Sequence, residues 1–294
     1  MAGLTEEAIC AYEAAGEAVR EIKRRLRGRA KAGSGLLELA QLVEGESVRL
    51  GGRPAFPCNI SLNEIASHYT PHRDDPRALC PGDLAKFDIG VAVEGYIADS
   101  AITLEVETDR HATLVAAAEK ALGDALAAVR PGVAAGELGG IIAASARESG
   151  FSVLKGLYGH NLERGCLHGG LTIPNYDDGS RKKVREGDVI AIEPFLTPGD
   201  GEIVRQEGGD IFQLIRQDAF FLGGRERILL SHIESNYNGF PFARRWLPDP
   251  EALDRLAGAS IVAEYPLLVE GDGAPVAQAE HTVIVERDGG RIIT

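Results

Sequence analysis

Apolar residues recur at three- to four-residue spacing through residues 5–29, at Ile9, Tyr12, Ala15, Val19, Ile22 and Leu26, which predicts an amphipathic helix. Gly16 inside that run is tolerated at a small loss of helix propensity. The sequence AGSG then breaks the pattern, and Ser34 is expected to cap a second helix through about residue 44. Residues 110–129 predict a third helix, between Asp109 and Pro131–Gly132. A fourth runs through Ala146–Arg147 and stops at Gly150. The order helix, Gly/Pro break, helix thus occurs twice, roughly 100 residues apart, and each copy leads toward strand-like sequence. That is the pattern of a duplicated αβ unit.

The strands follow a different period. Lys86–Val93 and Tyr96–Leu104 are β-prone runs around Glu94–Gly95, which predicts a hairpin with a two-residue turn. Gly187–Glu193 reads as a strand, and so does Val276–Glu286, closed by Asp288-Gly289-Gly290 and a last strand, Arg291–Thr294. Between them the character changes. Arg225–Asn236 is helical, the segment FPFARRWLP follows, and a further helix starts with Asp249 as cap and Pro250 at its first position. Residues 197–262 are therefore expected to form an inserted helical subdomain, with residues 1–196 and 263–294 making the main domain.

Composition limits the setting. The chain has 294 residues, 44% hydrophobic and 26% charged, the balance of a folded globule able to bury its own core. It has no apolar run near the ~20 residues of a membrane span, and its first residues lack a signal-peptide pattern. The four cysteines are widely spaced with no CxxC pair, as in reduced thiols of a cytoplasmic protein. A net charge of −13 argues against nucleic acid as a partner.

Some of those acids are out of place on a surface. Aspartate is disfavoured in strands, and burying an isolated carboxylate is costly. Yet Asp88 and Asp99 lie inside the apolar strands of the predicted hairpin. With Glu94–Gly95 as the turn, Asp88 opposes Ala101, so Asp99, two positions away, projects from the same face. Glu193, in VIAIEPF, and Glu280, in VAQAEHTVIV, repeat the anomaly. Taken alone, each could be a carboxylate bonded at a strand edge. His160 follows two glycines in GLYGHNLER, where glycine permits close backbone approach. Four carboxylates and one imidazole balance two divalent cations in charge. The oxygen-rich, thiolate-free set suits Mn, Fe or Co rather than structural zinc. Two such ions sharing a hydroxide would hydrolyse an amide.

Together the segments FPCNISLNEIASHYTP, FDIGVAVEGYIADSAIT, GHNLERGCLHGG, AIEPF, PFARRWL and AQAEHT resemble the type 2 methionine aminopeptidases, in the short form without a lysine-rich N-terminal extension. The resemblance spans nearly the whole chain. It implies an α+β pita-bread fold: two pseudo-symmetric αβ halves around a curved antiparallel sheet, plus a helical insertion that accounts for the 87 positions separating Glu193 from Glu280. By the same matching, Asp88 would hold one ion, Asp99 and Glu280 would bridge both, and His160 and Glu193 would hold the other. His68 would contact the substrate near the scissile bond. His168 would bond its carbonyl or the developing oxyanion, and Glu193 would also shuttle a proton. Phe56, Leu167 and Tyr265 would form the methionine pocket, although each is equally an ordinary core residue by type. Tyr158 in GLYGH and the segment DRHATLVAAAEKAL depart from the family pattern without touching a ligand.

The expected activity is removal of the N-terminal methionine of nascent polypeptides when the second residue is small, by a cytoplasmic monomer. Ribosome association would suit such a co-translational enzyme, and no motif marks it. Two alternatives stand beside it. A proline-specific peptidase of the same fold carries a large N-terminal domain, whereas only 87 residues precede Asp88 here. A non-enzymatic pita-bread binding protein loses metal ligands, whereas all five positions are filled here.

Overall fold

The computed structural model describes residues 4–216, 222–237 and 239–294. Two helix pairs cover two sheets. Helix Glu6–Arg29 is capped by the Thr5 side chain, which accepts from Ala8 N, and carries Glu6 and Glu7 in its first turn and Arg27 and Arg29 in its last, the polarity its dipole favours. Its Tyr12, Val19, Ile22 and Leu26 are buried in a core shared with helix Leu36–Arg49 and the first sheet. Gly16 does more than survive in that helix. A Cβ there would lie 2.0 Å from the Ile293 carbonyl oxygen, so the glycine lets the C-terminal segment cross the helix backbone. The second helix differs from expectation: Gly35 occupies the cap position, the Ser34 hydroxyl donates back to Arg29 O, and the helix continues past Gly45 to Arg49.

The first sheet is built on the predicted hairpin. Leu84–Val93 pairs with Tyr96–Glu105 in continuous antiparallel register, with Asp88 opposite Ala101 and Gly90 opposite Asp99. Asn59–Leu62 and Arg53–Pro54 add along the other edge of Leu84–Val93. The second half repeats the plan. Helices Ala112–Ala128 and Ala135–Glu148 pack on a five-stranded sheet ordered Gly289–Ile292, His281–Glu286, Val189–Ile192, Tyr158–Asn161 and Thr172–Pro174.

The halves meet through side chains acting in place of backbone. The Thr282 hydroxyl accepts from Asp99 N (2.8 Å) and donates to Asp99 O (2.6 Å). Thr103 does the same for Gln278, at 2.9 Å from its N and 2.6 Å from its O. The Ser100 hydroxyl donates to Glu280 O. Each bridge satisfies backbone groups that would otherwise be orphaned at a buried seam.

The stretch expected to be helical carries both helices, Gly224–Tyr237 and Pro250–Gly258, and Asp249 caps the latter through Ala252 N. It also carries strands. Ile211–Leu214 pairs with Phe242–Ala243 and Val262–Glu264, and with the helices it encloses a core of its own around Phe212, Ile233, Phe242 and Leu256. Ile203–Gln206 instead joins Leu267–Glu270 and Ile65–Ser67 in a three-stranded sheet. Among the described residues, no helix is long and apolar enough to cross a membrane.

Candidate metal centre

The four acids come from two kinds of place. Asp88 and Asp99 lie within their strands on one face of the hairpin, where the charge of Asp88 bears directly on Asp99. Glu193 and Glu280 are not inside strands, as the sequence pattern suggested, but at two facing breaks. Pro194, which has no N–H to give a ladder, separates Val189–Ile192 from Phe195–Thr197. Opposite it, Ala279 and Glu280 separate Ala277–Gln278 from His281–Glu286. Pairing resumes on both sides, Ile192 with His281 and Phe195 with Gln278, and Ala279 N donates to Pro194 O at the break. A paired kink therefore aims both glutamates inward.

His160 enters from the strand Tyr158–Asn161, beside Ala191. Gly159 makes this possible, because a Cβ there would stand 2.3 Å from the Ala191 carbonyl oxygen. The His160 Nε2 is 3.6 Å from Asp99 Oδ2 and 3.7 Å from Glu193 Oε1. Ligand atoms of Asp99, His160 and Glu280 all lie within 4.8 Å of one another.

The electrostatics of this cluster favour a cation. Burial raises all four carboxyl pKa values. Asp88 is pushed up to about 7, and Asp99, Glu193 and Glu280 go well above the usual range as the neighbouring acids add repulsion. Lys23, behind the sheet, offsets this for Glu280 as the smallest of the influences on it. Burial, and then His168, lower the His160 pKa to about 3, so its imidazole is neutral and able to ligate. Asp88 Oδ1 and Asp99 Oδ1 are buried with no hydrogen-bond partner. A group of oxygen donors and one neutral imidazole, crowded together with unfilled acceptors, fits a divalent metal.

All ten residues singled out from the sequence line one cavity of about 600 Å³: Phe56, His68, Asp88, Asp99, His160, Leu167, His168, Glu193, Tyr265 and Glu280. Aromatic rings run along one wall. His160 lies 4.5 Å from His168, His168 lies 6.3 Å from Tyr265, and Tyr265 lies 5.2 Å from His68 between ring centroids. The Phe56 ring lies over Gly90, where a Cβ would meet it at 2.2 Å. Residues 8–227 match metallopeptidase family M24.

The chain belongs to metallopeptidase family M24. Within that family it is similar to the methionine aminopeptidase of Thermococcus onnurineus, 44% identical over 288 residues, which are 95% of this chain and 97% of the relative. Two solved structures share its fold. One is the methionine aminopeptidase of Thermotoga maritima (TM-score 0.75, 24% identity, 100% of this chain and 99% of that chain). The other is a thermophilic Arx1 (TM-score 0.86, 16% identity, 99% of this chain and 91% of that chain). The architecture is the α+β pita-bread fold of M24 enzymes.

The structure adds residues that the sequence reading missed. The Gln278 amide bonds Asp88 and reaches Glu280 at 3.5 Å, and Asn59 pairs with Asp88 across the sheet and lines the cavity. A signal for part of this was present. Gln278, Glu280 and Thr282 alternate at period two in a buried run, so three polar side chains share a face.

Proposed function

We propose that this M24 enzyme is a methionyl aminopeptidase acting on polypeptides that begin with methionine followed by a small residue, and that it uses two divalent ions. The near full-length identity to methionine aminopeptidases supports the substrate. The observation that carries the reading is the convergence of all ten residues on one cavity, acids and His160 at one part and apolar or aromatic side chains beside them. Asp88, Asp99, His160, Glu193 and Glu280 would hold the two ions. Bound there, such ions supply Lewis acidity toward the scissile carbonyl and ease deprotonation of water. Residues 197–262 are read as an insertion that closes one side of the cavity through Arg205, Ile211 and Pro241.

The protein's own groups orient the peptide. His68 Nδ1 lies 3.0 Å from Pro266 O. A carbonyl only accepts, so Nδ1 carries the proton. Burial lowers the His68 pKa to about 4, so the ring is neutral and Nε2 keeps its lone pair. His68 therefore accepts from a substrate N–H beside the scissile bond. His168 faces the cavity next to His160 and is placed to bond the substrate carbonyl oxygen as charge develops there. Glu193 takes and returns a proton. Phe56, Leu167 and Tyr265 receive the methionine side chain. Release of methionine from Met-Ala-Ser, with Met-Lys and Xaa-Pro peptides left intact, tests the activity. Glu193→Gln with unchanged metal content and unchanged turnover would remove the proton-transfer role.

A further inference from the structure

The FARRW segment has no part in the chemistry above, yet Arg245 is one of the most buried arginines, its side chain 5% exposed. Its guanidinium does not face solvent or an isolated acid. One nitrogen donates to Thr70 Oγ1 (2.7 Å) and Pro71 O (2.9 Å), and another pairs with Glu44 of helix Leu36–Arg49. Glu44 also accepts from Trp246 Nε1 (3.0 Å) and from Cys58 N (3.2 Å). Thr70, wholly buried, passes the contact on, its hydroxyl donating to Cys58 O at 2.8 Å. Its amide donates to Gly209 O at 3.2 Å. Gly209 lies so close under His68 that a Cβ would meet the His68 carbonyl oxygen at 2.3 Å.

Two residues before Thr70, His68 has φ 67°, in the left-handed region that only a few per cent of non-glycine residues adopt and at some cost in backbone strain. The segment 68–71 is thus fastened by Gly209, by Arg245 and, through Tyr69 O, by Ile60 N. Two of those three anchors come from the stretch 197–262. We propose that this stretch acts on the reaction through His68: Arg245, braced by Glu44, is a positioning residue that keeps the His68 backbone in its strained conformation and its ring aimed at the substrate nitrogen. This rests on the reading of His68 as the substrate's hydrogen-bond acceptor.

A double-mutant cycle tests it, with kcat and KM on Met-Ala-Ser and thermal midpoints measured for each metal-loaded protein. Arg245→Met should lower kcat/KM about 20-fold, mainly in kcat, as a displaced orienting group does. In a His68→Ala background the same substitution should change kcat/KM less than about twofold. Thr70→Val keeps the shape and removes only the hydroxyl relay, so it provides the same comparison if Arg245→Met folds poorly. Equal losses in both backgrounds would overturn the proposal, since the segment would then act by a route that bypasses His68. A His68→Ala enzyme with unchanged kcat/KM is a different failure, visible before any second substitution is made, and it removes the role of His68 itself.

Discussion

Removing the metal should make stability fall as pH rises. Asp88 is pushed from 3.8 to about 7 chiefly by burial. A carboxyl whose folded pKa lies above its unfolded one stabilises the fold while protonated in both states, and that stability is lost as pH rises through the folded pKa. The window for Asp88 is thus from about pH 4 to about pH 7. Across it, about 4 kcal/mol is lost, of which about 2 kcal/mol falls between pH 5.5 and pH 8. Asp88 keeps some contact with the cavity, so that figure is an upper one for this residue alone. Asp99, Glu193 and Glu280 are raised in the same direction and add to it. For a chain of 294 residues the unfolding entropy is about 0.6 kcal/mol per degree. The chelated protein should therefore melt about 3 °C lower at pH 8 than at pH 5.5 on the Asp88 contribution alone. Saturating Mn or Co holds the carboxylates ionised and should abolish that difference. Thermal scans of chelated and reloaded protein at the two pH values measure it, and taking the difference between the two series cancels groups away from the site. A chelated protein that is as stable at pH 8 as at pH 5.5, relative to the loaded one, would refute the claim that these acids are held above their ordinary pKa by the fold.

Three substitutions probe the surroundings. Gly159→Ala drives a methyl into the Ala191 carbonyl, so it should destabilise by about 2 kcal/mol in thermal or denaturant melts and lower metal affinity by displacing His160. Gly90→Ala presses on the Phe56 ring instead, and should raise KM for methionine peptides at least fivefold while metal content measured by elemental analysis stays constant. Asp249→Ala removes a cap far from the cavity. A stability loss of about 1 kcal/mol with kcat/KM unaltered is expected, and a fall in activity would show that the helix Pro250–Gly258 reaches the site.

Which parts of this were legible in the sequence follows from where each residue's meaning lies. Asp88 and Asp99 were conspicuous because carboxylates in apolar strands contradict their local surroundings, and the two-residue turn then fixed their common face by parity alone. Glu193 and Glu280 were conspicuous for the same reason, but their placement inside strands was wrong. Both lie in runs that read as continuous strands, and the break is set by Pro194 together with the opposing Ala279, a relation between segments more than 80 positions apart. The bridges at the seam were invisible. Thr103 and Thr282 are ordinary strand residues by type, and only the meeting of the two halves gives their hydroxyls backbone groups to satisfy. Gly16 looked like a mild defect of its helix because the Ile293 carbonyl that requires it comes from the far end of the chain. Arg245 presents the same difficulty in its strongest form. Arginine beside arginine reads as a local basic patch on the surface, and nothing near it in the sequence announces Glu44, Thr70 or the left-handed His68. Local pattern therefore reveals a residue whose chemistry clashes with its neighbours along the chain. It conceals one whose chemistry is unremarkable until the fold supplies a distant partner, and in this enzyme the clustered buried acids belong to the first kind while the groups that hold and aim them belong to the second.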